Sequence, residues 1–426
     1  MIKVEENKLP QHNLRTEKFL QPKRLHLPLS QHIGKPSSPK VKIGEKVEEA
    51  QVLAEPEGKV SSYLHSPARA RVLSIDNFNH PLLKRAEAVI LECEEGKREY
   101  SLRKNVDNLS KEELVEIVKK KGIVGMGGAA FPTYIKLSPP RTIETLIING
   151  CECEPYLSSD YRLMVENTEE IFRGVEIIFK ILQPKEVFFC VEENKPEAIK
   201  KINLFLSLKK FRIGNSKLVV LKSQYPQGGE KQLIYRLKNK KVGWGKLPYD
   251  FGCVVHNVAT CFAIYEGVYL DKPLIERVVT FAGRSLAQPK NIWVKIGTRL
   301  RELFERKILE FKEEPQKIIL GGPMMGIAVD SLDYPILKGT SGVLFLSKEE
   351  VDVEDEKNCI RCARCVDACP VNLLPLEFVK RVKKQEFNRL KEIYIQDCIE
   401  CGNCAFSCPA KIPIVHYIKV GKSYAT

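Results

Sequence analysis

A chain of 426 residues is too long to enclose one hydrophobic core, and its length predicts about three or four domains. Apolar residues make up 43 %, no run approaches the roughly 18 to 20 apolar positions of a membrane-spanning helix, and the polar start Met1–Gln11 lacks a signal core, so a cytoplasmic chain without a span is expected. The formal charge is +14, but Lys and Arg are interleaved with Glu, 12 basic against 11 acidic residues over 350–426, which argues against nucleic acid and for a Lys-rich solvated surface or one that meets acidic redox partners or an anionic leaflet.

Residues 1–25 read as a loose tail. From His26 to about Glu99, short β segments (40–44, 50–54, 58–60 and 70–75) alternate with turn residues, which predicts a small barrel or sandwich. Lys111–Lys121 has helical periodicity, with Leu114, Ile117 and Val118 on one stripe and Ser110 and Glu113 spaced for a capping box. After a glycine loop, strands at 143–148, 186–191 and 218–221 alternate with helices at 164–182, 195–205 and 257–269, predicting an α/β layer with a mostly parallel sheet. β-like segments return at 278–282, 292–296, 317–320 and 342–346 around one helix, 299–310, as a small α+β module. The acidic stretch 349–356 reads as a linker, and 376–392 as a helix between two cysteine loops.

The glycine loop Gly125-Met126-Gly127-Gly128-Ala129-Ala130-Phe131-Pro132 satisfies the dinucleotide expression G-x-G-x-x-A, but a helix rather than a strand leads into it, which argues against a Rossmann site there. Its glycines still let the backbone approach a flat ring or a phosphate, while Phe131 offers a ring face and Lys136 a charge for a phosphate or a flavin carbonyl. Asn149-Gly150-Cys151-Glu152-Cys153-Glu154-Pro155 follows a buried strand, so its carboxylates fall at a strand's C-terminal edge, where α/β folds place ligands. Tyr225-Pro226-Gln227-Gly228-Gly229-Glu230-Lys231 and His256-Asn257-Val258-Ala259-Thr260 take equivalent positions. Four such loops meeting at one sheet edge describe a cofactor pocket.

Eight of the 14 cysteines form two copies of one spacing: Cys359, Cys362, Cys365 and Cys369 before Pro370, then Cys398, Cys401, Cys404 and Cys408 before Pro409. This is the bacterial ferredoxin run C-x2-C-x2-C-x3-C-P, in which three thiolates of one loop hold a cubane and the fourth reaches the other cluster. One 4Fe-4S cluster is therefore assigned to Cys359, Cys362, Cys365 and Cys408, and a second to Cys398, Cys401, Cys404 and Cys369. Structural zinc would use four of these thiols and strand four. The other six, Cys93, Cys151, Cys153, Cys190, Cys253 and Cys261, show no disulfide framework, in keeping with the reducing compartment that cubanes require.

Over about residues 25–420 the sequence resembles the RnfC family, the C subunits of Rnf electron-transport complexes. The likeness is carried by Leu27-Pro28-Leu29-Ser30-Gln31-His32-Ile33-Gly34, the glycine loop through Lys136, the Cys-Glu-Pro loop with Ser159-Asp160-Tyr161-Arg162-Leu163-Met164, Tyr225 to Leu233, Gly321-Gly322-Pro323-Met324-Met325-Gly326 and both cysteine runs. The central region further resembles the flavin-bearing subunit of respiratory complex I. The resemblance implies a multidomain α/β and α+β chain: a barrel-sandwich hybrid at 26–105, a Rossmann-like α/β domain binding FMN and NADH at 106–270, a β-grasp (SLBB-like) module at 271–348 and a two-cluster ferredoxin-type domain at 349–426. It implies cofactor contacts from Gly125, Gly127, Gly128, Lys136, Asn149, Glu152, Tyr225, Gly228, Asn257 and Thr260, with NADH stacking near Phe131 and Glu154 and Glu230 shaping its pocket. Ala130 stands where the flavin-bearing subunit of complex I usually has glycine, and Cys151 where the RnfC family usually has alanine and the complex I protein an acidic residue. Gly229 lacks the carboxylate expected there, and Arg69-Ala70-Arg71 replaces a small-residue turn.

The implied function is hydride exchange between NAD(H) and FMN and passage of single electrons through two 4Fe-4S clusters. The implied setting is a peripheral subunit on the cytoplasmic face of the cell membrane, partnered by the other subunits of a complex coupling ferredoxin and NAD to ion pumping. Hydride transfer requires no general acid or base, so no catalytic residue is assigned, and His256 reads as a pocket or core residue. A cobalamin reductase of diol-utilising microcompartments and a non-enzymatic iron–sulfur relay are the alternatives.

Overall fold

The computed structural model describes residues 1–8, 11–96, 98–352 and 354–425. Strand β1 (Glu17–Phe19) precedes a module of two antiparallel sheets. One contains β2 (Arg24–Pro28), β4 (Lys46–Val47), β7 (Ala70–His80) and β8 (Lys84–Cys93) in the order β2-β8-β7-β4, and the other packs β3 (Ser38–Pro39), β5 (Val52–Glu55) and β6 (Leu64–His65) side by side. Leu25, Leu27, Leu53, Val72, Val89 and Leu91 are buried between them, the small barrel-sandwich that the short alternating segments predict.

In the α/β module, α1 (Lys111–Lys120) starts with the expected capping box: the Glu113 amide donates to Ser110 Oγ at 3.2 Å and the Ser110 amide to Glu113 Oε2 at 2.7 Å. Next come α2 (Thr133–Lys136), β9 (Thr145–Gly150), α3 (Ser159–Glu166), α4 (Thr168–Leu182), β10 (Glu186–Glu192), α5 (Pro196–Ser207), β11 (Asn215–Leu221), α6 (Glu230–Lys238), β12 (Cys253–Asn257) and α7 (Val258–Tyr269). The four strands are parallel in the order β11-β10-β9-β12. The helix expected over 164–182 is divided at Asn167, whose φ of −130° is not helical, and α6 escaped the pattern altogether. Helices α4 and α7 meet so closely that a Cβ on Gly174 would stand 1.8 Å from the Cys261 carbonyl oxygen.

The third module contains β13 (Glu276–Ala282), β14 (Lys290–Lys295), α8 (Leu300–Glu305), β15 (Lys317–Leu320), β16 (Ile327–Val329) and β17 (Gly342–Leu346). Its order β14-β13-β17-β15-β16, with the parallel pair β13 and β17 flanked by antiparallel β14 and β15, is the β-grasp arrangement. Val279, Phe281, Ile292, Leu303, Val343 and Phe345 are its core, and α8 stops short of the expected Glu310.

The expectation of a loose tail over 1–25 is corrected. β1 pairs in parallel with β14 at the edge of the β-grasp sheet, Phe19 is buried, and Ile2 and Tyr225 exchange backbone hydrogen bonds at 3.1 and 2.8 Å. Polar hooks hold the segment: Lys8 Nζ donates to the Glu152 carbonyl at 2.5 Å and Gln11 Nε2 to the Tyr156 carbonyl at 2.9 Å. Such contacts leave no hydrophobic periodicity to read.

The C-terminal module pairs two short helices inside the cysteine loops, α9 (Arg364–Asp367) and α11 (Asn403–Phe406), with α10 (Pro375–Lys383) and α12 (Ile414–Tyr424). Phe378, Val379, Leu390, Ile395, Ile414 and Ile418 form its core. The helix expected over 376–392 ends at Lys383 and gives way to a 3-10 turn at Phe387–Leu390. Among the described residues no helix is long and apolar enough to cross a membrane.

Candidate functional site

In the parallel sheet, strand order reverses between β9 and β12, and a crevice opens at such a switch point beyond the carboxyl ends of the strands. Asn149 and Asn257 are register partners at those two ends, which puts two of the expected cofactor residues side by side there. Asn257 also caps α7, its Oδ1 accepting from the Ala259 amide at 2.8 Å and its Nδ2 donating to Asp160 Oδ2 at 2.6 Å. Asn149 Nδ2 donates to the Gly228 carbonyl at 2.9 Å and so ties the 225–230 loop to the strand end.

The glycine loop joins them from the other side. The Met126 amide donates to Thr260 Oγ1 at 2.9 Å, and a Cβ on Gly127 would stand 3.3 Å from that of Asn257. Gly128, at φ +112°, has no atom within 4 Å of where a Cβ would stand, an open flank beside an exposed backbone. Ala130 adopts φ +49°, a region that favours glycine, which accounts physically for the glycine expected at that position. Lys136 Nζ donates to Glu230 Oε1 at 2.5 Å and to the Val255 carbonyl at 3.0 Å, so the expected flavin-contacting lysine and pocket carboxylate are paired with each other. Gly228 is required sterically, because a Cβ there would stand 2.2 Å from the Cys151 carbonyl oxygen.

Two expected contact residues are occupied within the protein. The buried Glu152 carboxylate accepts from Ser159 Oγ at 3.1 Å and from the amides of Asp160 and Tyr161 at 2.9 and 3.2 Å, where it caps α3. Glu154 Oε1 accepts from the Tyr225 hydroxyl at 3.1 Å and Oε2 from the Met324 amide at 3.1 Å, which latches the α/β module to the 321–326 loop of the β-grasp. Burial holds the Glu154 carboxyl above its ordinary range and raises the Tyr225 phenol, with the neighbouring Glu154 adding to the latter. Burial and then Glu152 push Asp160 up to about 7. His256 is buried, its Nε2 has no partner among the described residues, and burial lowers it to about 3, so the ring is neutral behind Lys136.

The cysteine runs are interleaved in space. Cys369 of the first run lines one cavity with Cys398, Cys401 and Cys404 of the second, closed by Val371, Leu373, Phe378, Val415 and Ile418. Cys365 of the first run and Cys408 of the second pack against the same apolar core. Backbone amides approach the sulfurs, Arg361 to Cys359 at 3.3 Å, Leu373 to Cys369 at 3.3 Å and Glu400 to Cys398 at 3.4 Å, contacts that favour anionic sulfur. Among the described residues no three acidic, His or Cys side chains gather around a point that would hold a single ion; thiols gripping the corners of a cubane stand farther apart than that. Eight thiols in two runs suit two cubanes, and the group around Cys401 has an apolar enclosure.

The two cluster sites differ in depth. Cys401 and Cys404 are buried, and their loop packs against the α/β and β-grasp modules: Asn403 Nδ2 donates to the Tyr225 carbonyl at 3.3 Å, Gln232 Nε2 to the Pro370 carbonyl at 3.4 Å, and a Cβ on Gly402 would stand 2.7 Å from the Met324 carbonyl oxygen. Cys359 and Cys362 are exposed beside Ile360, which is 68 % exposed. The reading of the sequence missed Asn403, Gln232 and Met324 as the joint between modules; the motifs containing them were its only signal.

A glycine loop meeting two strand-end asparagines at the switch point, joined in one chain to two runs of four cysteines, has the parts of a flavin and iron–sulfur electron-transfer protein. Family models agree: residues 2–96 match the RnfC barrel-sandwich hybrid domain, 118–266 the Nuo51 FMN-binding domain and 358–412 a 4Fe-4S dicluster domain. The chain belongs to the RnfC family, the C subunits of ion-translocating oxidoreductase complexes. It is 44 % identical over 94 % of its length to the C subunit of the proton-translocating ferredoxin:NAD(+) oxidoreductase complex of Clostridium ljungdahlii, covering 88 % of that protein. It is 40 % identical, again over 94 % of its length, to the C subunit of the ion-translocating oxidoreductase complex of Pectobacterium carotovorum, and spans 54 % of that longer relative. The corresponding protein of Rhodobacter capsulatus is 38 % identical over 85 % of the chain, with 70 % of that protein covered. In fold, the chain is similar to an NAD+-reducing [NiFe]-hydrogenase chain in the H2-reduced state, with a TM-score of 0.52 at 17 % identity, over 74 % of this chain and 64 % of that one.

Proposed function

We propose that the protein is the peripheral subunit, on the cytoplasmic face of the membrane, through which an ion-translocating ferredoxin:NAD oxidoreductase exchanges electrons with NAD(H). The observation that carries this is the convergence of the glycine, Asn149, Tyr225 and Asn257 loops at the switch point, with the buried cluster site abutting Tyr225 in the same chain. FMN, when bound, exchanges hydride with NAD(H) and single electrons with one-electron carriers, and each 4Fe-4S cluster carries one electron.

The residues proposed to hold the flavin are Gly125, Gly127, Gly128, Lys136, Asn149, Tyr225, Gly228, Asn257 and Thr260, with Phe131 and Glu230 on the nucleotide side. Glu152 and Glu154 act from behind, one fixing α3 and the other the Tyr225 loop, so their contribution is orientation. The glycine loop supplies amides and a Cβ-free flank, and Lys136 supplies a cation whose partner Glu230 can be displaced by an anionic group. The thiolates around Cys401 are the inner site and those around Cys359 the outer one, facing the other members of the complex. The proposed division of the chain is 26–105, 106–270, 271–348 and 349–426, following an N-terminal segment 1–25.

Anaerobic purification, iron and flavin quantification, and an NADH-to-ferricyanide assay test the proposal. About eight irons and one FMN per chain, with NADH-dependent ferricyanide reduction, are expected. Clusters without FMN would favour a relay that has lost its nucleotide site, and NADH-dependent reduction of cob(III)alamin would favour a cobalamin reductase.

A further inference from the structure

The underside of the glycine loop is built from the β-grasp module, beyond the 118–266 span that matches the FMN-binding domain. Arg277, on β13, is 1 % exposed and its guanidinium meets carbonyls: Nη2 donates to Met126 at 3.4 Å, Nη1 to Lys338, and Nε to Val278 at 3.3 Å. Lys338 is equally buried and donates from Nζ to the Gly122 and Tyr63 carbonyls at 2.7 Å each, gripping the chain just before the loop. Next to it, Gly339 lies so near that a Cβ there would stand 3.2 Å from the Gly128 carbonyl oxygen and 3.4 Å from the Ala130 Cβ. Ala130 is the residue held at positive φ.

The buried guanidinium is also within electrostatic reach of the buried Asp160 and Glu152 carboxylates, which balance its charge inside the protein, so what its hydrogen bonds add is the fixing of the Met126 and Lys338 carbonyls. The Met126 residue answers to both sides: its N–H is fixed by Thr260 and its carbonyl by Arg277. Clamped at both ends, this stretch keeps its Cβ-free flank open at Gly128.

We propose that Arg277 and the Lys338–Gly339 turn of the β-grasp module are positioning residues of the flavin and nucleotide site, presetting the glycine loop from below. The inference rests on the FMN reading given under Proposed function, and the experiment separates the two. Purified protein stripped of flavin is titrated with FMN by quenching of flavin fluorescence, with cluster iron content and thermal unfolding measured on the same samples. NADH-to-ferricyanide kinetics are then recorded at saturating FMN. If the unsubstituted protein takes up no FMN, the underlying reading fails whatever the variants do.

If it binds, Arg277→Gln is expected to weaken FMN about tenfold, the loss of one charge-assisted positioning contact, and to raise KM for NADH more than it lowers kcat, with iron content unchanged. Arg277→Lys, which keeps the charge, is expected to recover part of that loss. Should Arg277→Gln not fold, Gly339→Ala decides, because its added methyl presses on Gly128 and Ala130; a several-fold weaker FMN affinity with unchanged iron is expected. FMN affinity and KM within about twofold of the unsubstituted protein in the variants that fold would overturn the proposal.

Discussion

Replacing Glu154 by alanine removes the acceptor shared by two donors from different modules, the Tyr225 hydroxyl and the Met324 amide. Tyr225 is 1 % exposed, so its hydroxyl cannot turn to water, and a buried donor left unpaired costs about 1–3 kcal/mol. Two such donors would give about 2–6 kcal/mol; relief of the desolvated carboxylate, whose proton affinity burial raises, offsets part of that and leaves about 2–4 kcal/mol. At roughly 2–4 °C per kcal/mol for modules of this size, the unfolding midpoint should fall by about 4–16 °C, measured by scanning calorimetry on cluster-loaded protein under anaerobic conditions. Glu154→Gln keeps one carbonyl acceptor and should lose about 1 kcal/mol. Gly322 belongs to the same latch, since a Cβ there would stand 2.1 Å from Glu154 Oε2. If Glu154→Ala unfolds within about 1 °C of the unsubstituted protein while KM for NADH rises severalfold, the carboxylate faces the nucleotide and the latch is wrong.

Because Cys369 lines the cavity of the second run, Cys369→Ala should abolish the inner cluster and spare the outer one, leaving about four irons per chain, whereas Cys408→Ala should do the converse; if each run held its own cluster, iron analysis and EPR would show the losses exchanged, Cys369→Ala removing the outer signal and Cys408→Ala the inner one. Burial lowers His65 and His256 to about 3 from an unfolded value of 6.5, so the folded chain binds fewer protons below 6.5; their contribution is complete above that pH and is lost as the pH falls toward 3. Between pH 6.5 and 5 each should remove about 2 kcal/mol, opposed by Asp160, raised to about 7, whose contribution is present below 3.8 and lost as pH rises through 7; denaturant titrations at pH 7 and 5 should show net destabilisation at pH 5. Gly174→Ala puts a methyl against the Cys261 carbonyl and should force α4 and α7 apart at a cost of about 3 kcal/mol, visible as a lowered unfolding midpoint; an unchanged midpoint would contradict the close approach.

Much of the site was legible because its signals are local. The Ser110–Glu113 box needs a separation of three residues, and the glycine loop declares its backbone freedom by composition alone. Helix ends were less legible: Asn167 divides one expected helix through its backbone angle, and α6 carries charged residues at Glu230, Lys231, Arg236 and Lys238 that obscure its buried Leu233 and Ile234. The tail misled because its anchors are polar, with Lys8 and Gln11 buried by hydrogen bonds to residues more than a hundred positions away.

By itself, the sequence determined the chemistry of the cluster domain, since three thiolates on one tight loop are a short-range geometric requirement written directly as spacing. Only the tertiary structure decided that Asn149 and Asn257 adjoin at the switch point, that Glu152 and Glu154 turn inward, that Arg277 supports the glycine loop, and that the cluster site around Cys401 is the inner one. The physical reason is shared: each of these depends on which buried polar group finds a partner across modules, and such pairing is set by the packed whole, with no trace in local periodicity.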